Sequence, residues 1–171
     1  MNKAIFLDRD DTINVDKIDV YRVEDFELRP NVIEALKLFI DKDYKLIIIT
    51  NQSGIGRNVF TKEDYYRFTE YLVSQLKNEG VEFTGIYFCP HKSGENCDCR
   101  KPNPGNILKG AKEHNISLKQ SWMIGDKLSD VEAGKNAGCR TIFLGIKNKE
   151  RLADYITKDL LDAANFIIDN S

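Results

Sequence analysis

The 171 residues are 42% hydrophobic and 30% charged with only 11 Gly and 4 Pro, a balance that excludes a disordered chain and fits one ordered domain over residues 1–171. Lys and Arg number 25 against 27 Asp and Glu, so the net charge of −2 provides no basic field for nucleic acid or an anionic membrane. A small molecule is the expected partner of what is read as a monomer.

Met1 runs straight into the apolar residues 4–7, a stretch too short for a signal peptide or a membrane span, and the expected location is cytoplasmic. That stretch opens a series of short β-branched runs, continued at 46–50, 86–88, 122–124 and 141–144. Helical patterns fall at 32–40, 62–78, 104–114, 129–137 and 158–166. Asn31 stands where an N-cap belongs, Thr61 with Asp64 has capping-box spacing, and Gly80 and Gly138 follow expected helix ends. The alternation predicts an α/β fold: a doubly wound, mostly parallel, Rossmann-like sheet of about five strands with helices on both faces and no large cap domain. Two stretches, 14–30 and 89–103, break the alternation and are candidate functional loops.

Open α/β sheets bind ligands outside the carboxyl ends of their strands, so the polar residues ending each run carry the functional reading. The first run ends at Asp8-Arg9-Asp10-Asp11-Thr12, the second at Thr50-Asn51-Gln52-Ser53-Gly54, the fourth at Gly125-Asp126-Lys127 with Asp130 close behind. Asp8 and Asp10, two apart on an extended segment, face the same way, and with Asp126 they form a plausible all-oxygen cage for Mg²⁺. Lys101 and Lys127 can neutralise phosphate oxygens that Thr50 and Ser53 hydrogen-bond. Each Asp alone could be a mere turn or cap residue, Lys127 a solvated lysine and Asp130 a first-turn helix acid; it is the joint occurrence that outlines a phosphoryl-transfer site.

Within the second loop, Cys89, His91, Cys97 and Cys99 make a full tetrahedral set for a structural Zn²⁺, leaving no position open for water. Such a zinc-stabilised loop would place Arg100 and Lys101. Unrelated reduced cysteines or a redox switch are the alternatives, and Cys139 reads as core.

Taken together, Asp8-x-Asp10-x-Thr12, Thr50, Lys101 and Gly125-Asp126-x-x-x-Asp130 resemble the four motifs of the haloacid dehalogenase superfamily. The segments 8–14, 50–55, 89–91, 97–102 and 125–127 resemble its histidinol-phosphatase-like branch, and within it the heptose bisphosphate phosphatases. The resemblance implies that Asp8 attacks phosphorus, and that Asp10 protonates the leaving oxygen and then activates water. It implies Mg²⁺ on the side chains of Asp8 and Asp126 and the backbone carbonyl of Asp10, with Thr50 and Lys101 steadying the phosphoryl group. It further assigns Arg9, Asp16, Asp19, Asn51, Gln52, Ser53, Arg100 and Lys127 to substrate binding, Arg100 suiting a second phosphate. The chain departs from the family in having Asp11 for the usual glycine and Ile18-Asp19 for Gly-Tyr. The substrate expected from the resemblance is a phosphorylated sugar, most closely D-glycero-D-manno-heptose 1,7-bisphosphate. Histidinol phosphate is the alternative, as is, from another class, a catalytically silent binding module on the same fold.

Overall fold

The computed structural model describes residues 1–146 and 152–171. Six parallel strands form one sheet: β1 Lys3–Leu7, β2 Tyr44–Asn51, β3 Gly85–Cys89, β4 Trp122–Gly125, β5 Arg140–Leu144 and β6 Tyr155–Thr157. Their order is β3-β2-β1-β4-β5-β6, with every pairing parallel. The helices are α1 Val32–Asp41, α2 Ser53–Gly56, α3 Lys62–Asn78, α4 Gly105–Glu113, α5 Leu128–Ala137 and α6 Leu160–Asp169.

Alternation along the strands sorts the core into two faces, as the pleat requires. Ile5, Leu7, Leu46 and Ile48 point to one side, where they meet Leu36 and Phe39 of α1, Phe68 and Leu72 of α3, and Ala163 and Ile167 of α6. Ala4, Phe6, Ile47 and Ile49 point to the other, against Ile107 and Ala111 of α4 and Ala133 and Ala137 of α5. Burial on both faces explains why the strands read as continuous apolar runs. Cys139 is buried in the second cluster.

The expected helices and strands are present within two residues of their predicted limits, except that α6, expected at 158–166, starts two residues later and ends three residues later, and there are two additions. Strand β6 holds only three residues at the sheet edge, too few for a period to register. Helix α2 is a single turn. The Thr61–Asp64 capping box is formed, Thr61 Oγ1 accepting from the Asp64 N–H at 3.1 Å and Asp64 Oδ2 from the Thr61 N–H at 2.9 Å. Asn31 behaves otherwise: it is left-handed at φ 63° and its side chain caps nothing, so here asparagine serves the turn rather than the cap.

The strand order reverses between β1 and β4, which start their crossovers in opposite directions from the centre of the sheet. A crevice at the carboxyl ends is the geometric result. The Asp8 N–H donates to the Ile124 carbonyl at 3.0 Å, so the residues following β1 and β4 are held side by side at that crevice.

Helix α5 reaches this position because Gly134 lets it lie close on the sheet. A Cβ there would stand 2.6 Å from both Met123 Cβ and Thr141 Cγ2. Gly134→Ala is therefore expected to lower unfolding stability by about 1–3 kcal/mol in urea denaturation, despite alanine's better helix propensity. Unchanged or increased stability would contradict the close packing.

Candidate active site

The first strand end is a tight turn. The Arg9 carbonyl accepts from the N–H groups of Ile13 at 2.8 Å and Asn14 at 3.2 Å, and the Asn14 carbonyl accepts from the Asp11 N–H at 2.7 Å. Asp11 sits at φ 59°, the conformation for which glycine is the usual choice. Aspartate is tolerated because its carboxylate works locally: Oδ1 accepts from the Asp16 N–H at 2.9 Å and pairs with Arg29 at 3.4 Å. The substitution thus keeps the turn.

Asp8 and Asp10 lie in this turn but have separate partners. Asp8 Oδ1 accepts from the Lys101 ammonium at 2.9 Å. Lys101 Nζ also donates to the Ile49 carbonyl at 2.7 Å and lies 2.6 Å from Asp130 Oδ1. Lys101 and Asp130 are 3% and 1% exposed, so this is a buried ion-pair network. Burial works against the ammonium, yet the charges of Asp130 and Asp8 outweigh it and hold the Lys101 pKa above the ordinary lysine value. Asp10 is held instead by Arg9, whose Nε donates to Oδ1 at 2.9 Å, by Asn14 Nδ2 on the same oxygen at 3.0 Å, and by Gln52 Nε2 on Oδ2 at 3.1 Å.

Asp8, Asp126 and Asp130 each present a carboxylate oxygen within 4.8 Å of the others. Burial first, then the charges of Asp8 and Asp130, push the Asp126 carboxyl up to about 8. Among the described residues Asp126 Oδ1 is buried with no hydrogen-bond partner, an orphaned acceptor that suits a hard divalent cation. Asp130, part of the fourth motif and alternatively a first-turn acid, does serve the latter purpose, its Oδ2 accepting from the Lys127 N–H at 3.0 Å. It is also the third carboxylate of the cluster, where the sequence reading had set the side chain of Asp10. Gly125 is required for this, because a Cβ there would lie 2.2 Å from Asp130 Oδ2.

A cleft of about 330 Å³ opens over these groups, and Asp8, Asp10, Ser53, Arg100, Lys101 and Lys127 are among its walls. Thr50 is buried beneath it, and its Oγ1 accepts from Gln52 Nε2 at 2.9 Å, which leaves the hydroxyl hydrogen free to donate. Four expected substrate contacts are committed elsewhere. Asn51 clamps the Lys101 backbone, its Nδ2 donating to the carbonyl at 3.1 Å and its Oδ1 accepting from the N–H at 3.0 Å. Gln52 is 4% exposed and bridges Asp10 and Thr50. Asp19 pairs with Arg57. Arg9 is 1% exposed, so its side chain is spent on Asp10 and the interior, and only its backbone lies at the turn.

The loop after β3 brings Cys89, His91, Cys97 and Cys99 together. Cys89 and Cys97 sulfurs are 3.8 Å apart, and His91 Nδ1 lies 3.4 Å from the Cys89 sulfur and 3.3 Å from that of Cys99. A tetrahedral zinc at ordinary bond lengths holds two thiolates about 3.8 Å apart and a thiolate and imidazole nitrogen about 3.6 Å apart, so the spacing fits the ion. Arg100 donates to the His91 carbonyl at 3.3 Å, which ties the cleft's arginine to this cluster.

Comparison with known proteins gives the same picture. Residues 98–163 match the HAD-hydrolase-like family model. A D-glycero-beta-D-manno-heptose-1,7-bisphosphate 7-phosphatase from Helicobacter pylori is 52% identical over 148 residues, 86% of either chain. An alpha-anomer counterpart from Campylobacter jejuni is 39% identical over 96% of this chain and 95% of its own. In fold, the chain superposes on the D,D-heptose 1,7-bisphosphate phosphatase of B. bronchiseptica, solved with magnesium and phosphate, at a TM-score of 0.89 with 24% identity over 99% of both chains. With that degree of identity over nearly the whole length, the chain belongs to the D-glycero-D-manno-heptose-1,7-bisphosphate 7-phosphatase family of haloacid dehalogenase-like hydrolases.

Proposed function

We propose that the protein hydrolyses the 7-phosphate of D-glycero-D-manno-heptose 1,7-bisphosphate, acting as a monomeric, single-domain cytoplasmic enzyme. The observation that carries the reading is the 52% identity to the relative from Helicobacter pylori, whose name specifies the beta anomer. That makes the beta anomer the first substrate to test. Free thiols at Cys89, Cys97 and Cys99 suit a reducing compartment.

In this reading, Asp8 forms a bond to phosphorus while the bond from phosphorus to the sugar oxygen breaks, and Asp10 gives its proton to that oxygen. Asp10 then takes a proton from water, whose oxygen attacks phosphorus, releasing inorganic phosphate and the Asp8 carboxylate. Lys101 steadies the phosphoryl group from beneath and keeps Asp8 oriented, and the Thr50 hydroxyl donates to it. Arg100 and Lys127, on the cleft walls, are suited to bind the remaining phosphate. Asp16, on the 14–30 loop, and Ser53, on the cleft wall, with the backbone of Arg9 and Asp10, are left to define the sugar pocket. Asp8 and Asp126, with the Asp10 carbonyl, would hold Mg²⁺, which supplies charge neutralisation at the phosphate. Asp130 orients the lysine and the helix beside it.

Phosphate release from the Mg²⁺-loaded protein, measured side by side on the two heptose bisphosphate anomers and on histidinol phosphate, is expected to favour the beta anomer. Asp8→Asn and Asp10→Asn should each remove that activity by about 100-fold or more with the far-ultraviolet circular dichroism unchanged. Preference for histidinol phosphate would replace the substrate, and full activity in either variant would overturn the roles. For the loop, elemental analysis should find about one zinc per chain, and chelation should lower both the unfolding midpoint and turnover. Protein that is folded and fully active without zinc would refute the structural ion.

A further inference from the structure

Arg9 is an unusual residue to bury. Its side chain is 2% exposed, and among the described residues Nη1 is buried with no hydrogen-bond partner, so the interior carries a cation that is incompletely satisfied. Packing alone would be served better by an apolar side chain of similar volume. Its other nitrogens are fully used. Nε donates to Asp10 Oδ1 at 2.9 Å, and Nη2 lies 2.8 Å from the same oxygen and donates to the Val20 carbonyl at 3.1 Å. The guanidinium lies 4.6 Å from the ring centre of Phe68 on α3, a face that favours the cation. Arg9 is thus anchored at the Val20 carbonyl and at an aromatic ring, and from those anchors it grips one oxygen of Asp10.

We propose that Arg9 is a positioning residue for the general acid and base. It fixes one oxygen of Asp10 and so turns the other, Oδ2, which also accepts from Gln52 Nε2 at 3.1 Å, toward the cleft, where the leaving oxygen of the substrate must receive its proton. The planar fork is what allows two contacts on Asp10 and one on Val20 at once, which a lysine ammonium on a flexible stem cannot reproduce. Asn14 Nδ2, on the same oxygen, adds a neutral third donor. This inference rests on the reading of Asp10 as the proton donor, and a uniform loss of activity would not distinguish it from a folding role.

The leaving group separates the two. A sugar alkoxide needs a proton as its bond to phosphorus breaks, whereas 4-nitrophenolate leaves without one. With enzyme in excess, Arg9→Lys should slow phosphoryl transfer from heptose 1,7-bisphosphate by about 100-fold while slowing the first-turnover release of nitrophenolate from 4-nitrophenyl phosphate by less than about 3-fold. Phe68→Leu, which removes the aromatic anchor and keeps the charge, should show the same ordering at about 10-fold and decides the matter if Arg9→Lys does not fold. Equal slowing of both donors, or slowing of neither, would overturn the role of Arg9. Wild-type protein inactive on both donors would instead overturn the phosphatase reading itself, and this inference with it.

Discussion

The ammonium of Lys101 is the interaction on which the site depends. It lies buried between Asp8 and Asp130 and donates to the Ile49 carbonyl, and so joins the end of β1, strand β2 and the first turn of α5 at the point where the sheet order reverses. Removing one partner from such a pair typically costs about 3–5 kcal/mol, because the remaining charge is left buried and unpaired. Here the arrangement also brings together three carboxylates that would otherwise repel one another. The rest of the site can be understood as the means of delivering that lysine. Asn51 holds its backbone by two hydrogen bonds, and the cysteine and histidine cluster just upstream shapes the loop from which it projects.

Two carboxylates only two residues apart acquire different surroundings from one turn. Asp8 faces a buried cation and two further carboxylates. Asp10 faces Arg9, Asn14 and Gln52, with one oxygen fixed and the other shared with the residue that also holds Thr50. In the proposed reading, environment rather than residue type divides the labour between nucleophile and proton carrier. Asp11 at positive φ keeps the turn that makes the division possible.

The parallel sheet was legible because the central strands β1, β2 and β4 are apolar on both faces and run into polar residues at the carboxyl end, the end that lines the crevice. The clustering of Cys89, His91, Cys97 and Cys99 was legible because their order and spacing lie within one loop. What escaped was set by tertiary contact. Asp130 has the sequence of an ordinary helix acid, and only the absence of a Cβ at Gly125 lets its carboxylate enter the cluster. Arg9 and Asn51 sit among the motif residues and look like ligand contacts, yet both side chains turn to the protein, a choice decided by Val20, Phe68 and the Lys101 backbone far away in the chain. Strand β6 was hidden by its brevity.

The central claim is that Asp8 carries the phosphoryl group. The direct test is to mix the Mg²⁺-loaded protein with heptose 1,7-bisphosphate, quench in acid within milliseconds, and locate phosphate on the chain by peptide mass spectrometry. The account predicts a transient acyl phosphate on the peptide containing Asp8, formed before free phosphate accumulates and absent in Asp8→Asn. Release of phosphate with no adduct at any time, or an adduct on another residue, would contradict it.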